Sequence, residues 1–262
     1  MQPFRRLLCA AACALLATGG AQAQTALDNI VKSGVVRIAV PTDDPPYGLV
    51  GTDLQPQGLD IDMARYVAGK LGVKAELVPV TSTNRVPYLQ TRKVDIVIST
   101  LARNAEREKV VDFTTAAYSP FISAVFAPKT LAVKSFADLD GKSVGVTRGT
   151  IEDQELTKVL PKGANLMRFE DHAATITAMG AGQVAAVGSS QPAVSKLIQN
   201  QPQLGLENKL MLSQSPNFIG VPKGEDKLRE RINEIVVEAR KSGESDKMSI
   251  RWLGRAVGDI PM

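Results

Sequence analysis

The amino-acid sequence predicts an α/β protein with two lobes, each built on a mainly parallel β-sheet that is flanked by helices. Short β-branched runs alternate with helical patterns from about residue 34 onward, as in sheets that are covered on both faces. This alternation occurs in two series, one ending near residue 119 and the other beginning after residue 142. Each series is followed by an extended apolar segment, at 121–127 and at 218–221, where the chain can cross between lobes.

The two series predict individual strands and helices. In the first, a helix at 61–71 has apolar residues on one face, Asp60 as its expected N-cap and Gly72 as its stop. The predicted strands are at 35–40, 76–80 and 94–99 in the first series and at 142–147, 165–169 and 184–188 in the second. The second series also predicts helices at about 151–160, 173–181 and 192–199.

The last part of the chain completes the expected domain organisation. Residues 225–253 are helical in pattern, and Leu228, Ile232, Ile235 and Val236 form a stripe that faces a core. We expect this segment to pack back on the first lobe, so that the chain crosses twice and forms a hinge. The predicted lobes are therefore 24–119 together with 218–262, and 120–217.

The N-terminus has the three parts of a secretory signal peptide. Arg5 and Arg6 precede a short apolar run at 7–17, and Ala21-Gln22-Ala23 provides the small residues of a cleavage site. The run is shorter than the roughly 20 residues of a membrane-spanning helix. We therefore expect a periplasmic protein cleaved after Ala23, with a lipoprotein cut before Cys13 as the alternative. Cys9 and Cys13 both lie in this leader, so the mature chain has no disulfide.

Charge and composition exclude several classes of function. The formal net charge is +4, and lysine and arginine are scattered along the chain, which argues against nucleic acid or an anionic membrane as the main partner. The chain has one histidine and no cysteine beyond the leader, so no metal site, cofactor or cysteine chemistry is expected. Mild basicity suits a small acidic ligand.

Several sequence motifs, spread from about residue 34 to residue 253, resemble one known family. The chain is similar to the amino-acid-type periplasmic solute-binding proteins of ABC importers, family 3 of the bacterial extracellular solute-binding proteins. The motifs are PPY at 45–47, GLDID at 58–62, KVDIVIS at 93–99, ER at 106–107, VDF at 111–113, DLDGK at 138–142, GVTRGT at 145–150, GQV at 182–184 and RWL at 251–253.

The resemblance implies a Venus-flytrap architecture, in which a ligand binds between two lobes that close about a hinge. We expect a monomeric protein without enzymatic activity that binds a small amino-acid-like carboxylate and presents it to the membrane permease of an importer. Two alternatives stay open: a periplasmic lyase or dehydratase on the same fold, which would use His172, Asp43 or Asp44 as acid or base, and a module that reports to a membrane sensor.

The family pattern also implies residues that hold the ligand carboxylate. Arg107 occupies the position of an arginine that grips it, since a planar guanidinium offers a carboxylate two parallel donors. Ser99 and Thr100 end a predicted strand, where open α/β sheets bind their ligands. Thr150 begins a helix whose amides favour an anion. From the residues alone, Arg107 could instead be solvated, Thr100 could belong to a turn, and Thr150 could cap its own helix.

Other positions bear on the remainder of the ligand. Arg85 lies in a segment similar to a subgroup whose arginine faces the distal end of the ligand, although it could also face solvent. His172 begins a helix, either as a ligand contact or as a surface cap. Ser190 stands where the family usually has an aspartate that grips the ligand ammonium. Either Asp43 or Asp44 has taken over that ammonium, or the ligand lacks one; both acids could also be ordinary turn residues.

Overall fold

The computed structural model describes residues 25–262. The predicted leader, its cleavage after Ala23 and the alternative at Cys13 lie outside these residues. The helices, numbered along the chain, are α1 (Ala26–Ser33), α2 (Leu59–Leu71), α3 (Arg85–Gln90), α4 (Ala105–Glu108), α5 (Ile151–Val159), α6 (His172–Gly180), α7 (Gln191–Asn200), α8 (Asp226–Lys241) and α9 (Glu244–Leu253). Short 3-10 helices cover Phe136–Leu139 and Pro202–Leu204. Within residues 25–262, no helix is long and apolar enough to cross a membrane.

The strands form two five-stranded sheets and one small three-stranded sheet. They are β1 (Val35–Pro41), β2 (Asp43–Asp44), β3 (Gly48–Val50), β4 (Pro56–Gln57), β5 (Lys74–Val80), β6 (Ile96–Val97), β7 (Val111–Phe113), β8 (Ile122–Pro128), β9 (Ser143–Thr147), β10 (Asn165–Phe169), β11 (Ala186–Ser190), β12 (Leu206–Gln214) and β13 (Gly220–Pro222). The first large sheet has the order β5-β1-β6-β13-β7, the second has the order β10-β9-β11-β8-β12, and the small sheet has the order β2-β3-β4.

Each large sheet has four strands in one direction and a single reversed strand. In the first sheet β1 pairs in parallel with β5 and β6, whereas β13 is antiparallel to both of its neighbours. In the second sheet β9 pairs in parallel with β10 and β11, whereas β8 is antiparallel to both of its neighbours. The predicted α/β class with mainly parallel sheets is therefore confirmed. In both sheets the reversed strand overlaps an apolar segment where the sequence predicts a crossing: β8 overlaps 121–127, and β13 overlaps 218–221.

The residues just before the two crossing segments run side by side between the large sheets. The Asn217 N–H donates to the Ser119 carbonyl at 2.9 Å, and the Tyr118 N–H donates to the Asn217 carbonyl at 3.0 Å. The Asn217 side chain also donates to the Ser119 hydroxyl at 3.0 Å. Asn217 is fully buried, so these bonds satisfy its backbone groups and its side-chain N–H, which would otherwise be costly to bury.

Helices cover both faces of each sheet, as the run of apolar residues in the strands requires. The stripe on α8 is buried and packs with Ile38 and Ile96 of the first sheet. Burial of such side chains contributes about 1.5–3 kcal/mol each. In the second sheet, α6 and α7 pack against one face, and α5 packs against the other.

The start of α2 differs from the sequence prediction. The helix begins at Leu59, and its N-cap is Gly58, with φ 135° and ψ 173°, instead of Asp60. Asp60 lies inside the helix and is fully buried, and its carboxylate accepts hydrogen bonds from the N–H of Thr100, three residues after β6, and from the Tyr118 hydroxyl. The predicted stop at Gly72 is confirmed, since this residue has φ 72°.

Gly58 offers a test of how the start of α2 is built. A Cβ at Gly58 would lie 2.2 Å from the Tyr47 carbonyl oxygen, in a backbone region that only glycine adopts readily. We expect Gly58→Ala to lower the free energy of unfolding by about 3 kcal/mol, measured by urea denaturation. Gly69→Ala is the control in the same helix, where nothing lies within 4 Å, and it should raise stability by about 0.5–1 kcal/mol. Equal effects of the two substitutions would contradict this account.

Candidate functional site

Polar and charged side chains from both large sheets meet where the sheets face each other. The first sheet and its loops contribute Asp44, Arg85, Thr100 and Arg107, all of which are buried. The second sheet contributes Thr150, Glu152, His172 and Ser190, which are also buried. Buried ionised groups are expensive unless they are paired, so this concentration marks the interface as the candidate site.

Arg107 reaches from the first lobe to the second. Helix α4 positions it, because the Asn104 side chain caps that helix by accepting a hydrogen bond from the Arg107 N–H. One terminal nitrogen, Nη1, donates to the Ala102 carbonyl at 2.6 Å, and the other, Nη2, donates to the Gly149 carbonyl of the second lobe at 3.0 Å. Burial and the nearby charge of Arg85 lower the pKa of Arg107 to about 9. The alternative of a solvated arginine is wrong, since Arg107 is only 6% exposed.

Arg85 is the first residue of α3 and is 2% exposed, so it does not face solvent. Its Nη1 donates to the Ser99 carbonyl at 2.6 Å and to the Thr100 hydroxyl at 3.2 Å. Its Nε has no hydrogen-bond partner among residues 25–262. Burial lowers the pKa of this guanidinium, while the charge of Glu152 acts in the opposite direction.

Thr100 joins the site to the hinge through Asp60. The Thr100 N–H donates to Asp60 Oδ2 at 2.7 Å, and Tyr118, which precedes a crossing segment, donates its hydroxyl to Asp60 Oδ1 at 2.8 Å. Burial raises the pKa of Asp60 to about 7. Because its N–H and its hydroxyl oxygen are both engaged, the hydroxyl hydrogen is the group that Thr100 can offer to a ligand.

The two aspartates of β2 have different surroundings. Asp43 Oδ2 accepts the backbone N–H of His172 at 2.9 Å and so contacts the second lobe at the start of α6. Asp44 is fully buried, and neither of its oxygens has a hydrogen-bond partner among the described residues. His172 Nε2 lies 3.7 Å from Asp44 Oδ2. Asp44 belongs to β2 and is fully buried, so it is not an ordinary turn residue, and this burial raises its pKa.

His172 lies between the lobes with 9% of its surface exposed, which rules out a surface cap. Its Nε2 is 3.2 Å from the Ser82 hydroxyl of the first lobe, and its Nδ1 is 3.4 Å from the Thr147 hydroxyl of the second. The N-cap of α6 is the preceding residue, Asp171.

Thr150 and Ser190 each cap the helix that follows them. The Thr150 hydroxyl donates to the Thr147 carbonyl at 2.8 Å and accepts the Asp153 N–H at 3.1 Å. The Ser190 hydroxyl accepts the Ala193 N–H at 3.4 Å. Because the Thr150 hydroxyl is used in this way, the backbone amides in the first turn of α5 are the donors that the start of this helix can offer to a ligand.

Glu152 is the site residue that sequence reasoning missed. It is the second residue of α5, is 3% exposed, and its Oε1 has no hydrogen-bond partner within the described part of the chain. Burial raises the pKa of its carboxyl. An acid in the first turn of a helix is usually a surface residue that stabilises the helix dipole, so nothing in the local sequence marked it as buried.

The lobes are in contact around this cluster. The Asn104 side chain donates to Gln154 across the interface at 2.8 Å. A Cβ on Gly149 would lie 3.2 Å from the Ser82 carbonyl oxygen, and Ile151 joins the core of the first lobe. Grooves of about 500 and 530 Å³ open nearby, but Arg85, Arg107 and Glu152 line neither of them. The arrangement is therefore a closed one in which the charged groups are shielded from solvent.

The Asp60 contacts predict a pH effect on stability. Its pKa of about 7 in the folded protein lies above the ordinary value of 3.8, so the folded state binds the proton more tightly. The free energy of unfolding that this group contributes therefore falls as pH rises from about 4 to about 7. Asn in its place is always neutral: its Oδ1 can accept the Thr100 N–H, and its Nδ2 can donate to the Tyr118 hydroxyl oxygen. From pH 4.5 to pH 7.5, wild type should lose about 2–4 kcal/mol relative to Asp60→Asn, measured by urea unfolding. A difference that stays constant with pH would contradict the assignment.

The chain has similarities to known proteins over most of its length. The sequence profile of the bacterial extracellular solute-binding proteins, family 3, matches residues 36–255. The glutamine-binding protein of Geobacillus stearothermophilus is 30% identical over 202 residues, which cover 75% of this chain and 76% of that protein. The L-cystine-binding protein TcyJ of Escherichia coli strain K12 is 24% identical over 232 residues, covering 88% of this chain and 87% of that protein.

Solved structures show the same two-lobed architecture. An ancestral amino acid-binding protein, AncCDT-1, described as a precursor of cyclohexadienyl dehydratase, is 31% identical with a TM-score of 0.76, over 87% of this chain and 99% of that one. The profile match spans well over half of the sequence and includes every residue of the site described above. The chain belongs to family 3 of the bacterial extracellular solute-binding proteins.

Proposed function

We propose that this protein is the periplasmic substrate-binding component of an ABC importer and that it binds a small amino-acid-like carboxylate between its lobes. The observation that carries the proposal is the buried pair of guanidinium groups, Arg85 and Arg107, at the interface of the two lobes. The named relatives bind glutamine and L-cystine, and both of these ligands are amino acids.

Arg107 is the proposed anchor of the ligand carboxylate. Its Nη2 donates to a neutral backbone carbonyl at Gly149, and a carboxylate is a stronger acceptor because the hydrogen bond is then charge-assisted. Backbone amides at the start of α5 would approach the same carboxylate from the second lobe. In this arrangement Thr150 orients the helix with its hydroxyl, while Ser99 and Thr100 border the ligand on the first lobe.

Arg85 and Asp44 are proposed to contact the remainder of the ligand. The unpaired Nε of Arg85 can donate to an acceptor at the distal end of the ligand. Asp44 has two unpaired oxygens and full burial, which suits an ammonium group. Ser190 is occupied as a helix cap and carries no charge, Asp43 bonds to α6, and His172 lies beside Asp44.

Delivery depends on closure about the crossing segments. The lobes that we propose, residues 24–119 with 218–262 and residues 120–217, agree with the strands that each large sheet contains. A ligand that contacts both lobes favours the closed form, because it binds that form more tightly than the open one. The protein would act as a monomer, be exported with cleavage after Ala23, and be recognised by a membrane permease in its closed form. It would catalyse no reaction of its own.

The carboxylate anchor is tested with Arg107→Ala. Isothermal titration calorimetry with L-glutamine, L-cysteine and L-glutamate should show about 100-fold or greater loss of affinity for whichever of them binds wild type, because a buried charged partner is removed. Arg103→Ala is the control: it is close in sequence, but its side chain is 46% exposed and pairs with Glu108. It should bind as wild type does. Undiminished affinity of a folded Arg107→Ala protein would contradict the proposal.

The ammonium assignment is tested by comparing Asp44→Asn with Ser190→Ala. Asp44→Asn should weaken amino-acid binding about 10- to 100-fold, because it removes a buried negative charge opposite a cation. Ser190→Ala removes only a neutral helix cap and should change affinity less than threefold. Calorimetry checks both variants, and urea unfolding confirms that each is folded. If Ser190→Ala were the more damaging of the two, Asp44 would not hold the ammonium.

A further inference from the structure

Glu152 is a buried acid that the family resemblance does not account for. It is 3% exposed and lies in the first turn of α5, on the opposite lobe from Asp44. Its Oε1 has no hydrogen-bond partner among residues 25–262. A buried carboxylate oxygen without a partner is costly, and such groups in native proteins usually serve a purpose beyond stability.

The electrostatic neighbours of Glu152 show that it belongs to the charged cluster. Its charge raises the pKa values of Arg85 and Arg107 against the effect of burial, and the charge of Asp44 raises the pKa of Glu152 itself. No hydrogen bond joins Oε1 to either arginine; Nη1 of Arg85 and both terminal nitrogens of Arg107 donate to backbone carbonyls instead. Glu152 therefore acts on these groups through space and keeps an acceptor free.

The unpaired acceptors of the two acids match one kind of ligand group. Asp44 supplies two oxygens from the first lobe, and Glu152 supplies one from the second. An ammonium group has three N–H donors and one positive charge. Three carboxylate oxygens can satisfy these donors, which a single neutral hydroxyl at Ser190 cannot do.

We propose that Glu152 and Asp44, from opposite lobes, together bind the positively charged nitrogen of the ligand. This inference rests on the proposed function, and it defines the ligand class as small carboxylates that carry an ammonium group. Closure brings two buried acids toward each other, which their like charges and their desolvation oppose. A ligand cation offsets both effects, so the protein closes more readily on an amino acid than on the same acid without nitrogen.

The test uses matched pairs of ligands and a matched pair of variants. Wild type, Glu152→Gln and Glu155→Gln are titrated by calorimetry with L-glutamine, L-cysteine and L-glutamate. Each is also titrated with the corresponding acid that lacks the α-ammonium: glutaramate, 3-mercaptopropionate and glutarate. Glu155 is in the same helix, partly exposed and paired with Lys158, so Glu155→Gln controls for the loss of a negative charge on α5.

For an amino acid that binds wild type, we expect Glu152→Gln to lower affinity at least tenfold, and to leave affinity for the matched acid unchanged or to raise it, because the variant no longer brings two like charges together on closure. Glu155→Gln should leave both affinities unchanged. In the double variant Asp44→Asn/Glu152→Gln, the loss should be smaller than the product of the two single losses, because both acids hold one group. If Glu152→Gln does not fold, Glu152→Asp keeps the charge, withdraws the carboxyl by one methylene, and should show the same selective loss.

The remaining outcomes separate the two proposals. Equal affinity of wild type for an amino acid and for its matched acid would overturn this inference while leaving the proposed carboxylate site intact. An equal loss for both members of a pair in Glu152→Gln would also overturn it, because Glu152 would then act on closure in general. If no amino acid and no matched acid binds wild type, the proposed function fails and the inference fails with it.

Discussion

The burial of four ionisable side chains between two lobes is the constraint on which the rest of this structure depends. Arg85 and Arg107 bring two guanidinium groups, and Asp44 and Glu152 bring two carboxyl groups whose pKa values burial raises, into a region with little solvent. Removing such groups from water is costly, and few direct hydrogen bonds among them offset that cost. The two arginines instead use backbone carbonyls at strand ends and at a loop glycine. The site thus holds two guanidinium groups and two carboxyl groups with several polar atoms that lack a hydrogen-bond partner among the described residues, an arrangement that suits the proposed ligand with one positive and one negative end.

The surrounding fold holds the backbone around these four buried side chains in place. Asp60 ties the end of a first-lobe strand to Tyr118, directly before one crossing segment. The Thr150 and Ser190 hydroxyls are committed to helix starts, so they hold α5 and α7 at the interface. A position that sequence comparison suggests as a ligand contact can therefore act mainly by placing a helix. In the proposed function, the buried arginines and acids would then contact the ligand.

Much of the fold could be predicted from the sequence, because periodic burial leaves a strong pattern. The strand at 165–169 has the bounds that the sequence predicts. The apolar stripe predicted on α8 is buried. The prediction that Asp60 is a helix N-cap was wrong, because an acid just before an apolar helical pattern is typical of a cap. Its burial depends on a tertiary contact with Thr100, which the local sequence does not show. The small sheet of β2 to β4 was not foreseen, since strands of two or three residues carry too little pattern to recognise.

The candidate site could be predicted only where a family motif marked it. Arg107 and Thr100 were named through such motifs and are buried at the interface. Glu152 carried no signal, because its environment includes side chains that are far away in the chain, such as Asp44 and Arg85. Long-range electrostatics of this kind leave no local periodicity.

The reversed strand of each sheet has a consequence for the order in which the chain acquires its structure. The second sheet is assembled from one continuous stretch, since its five strands lie between Ile122 and Gln214. The first sheet is assembled from two separate stretches of the chain, because its edge strand β7 pairs only with β13, which is at Gly220–Pro222. During synthesis from the N-terminus, the lobe that begins first must therefore be completed last. Most of the chain must be synthesised before β7, the edge strand of the first sheet, can pair with β13. Until then the first lobe stays incompletely folded, as a chain that is to be exported through a membrane would need to be.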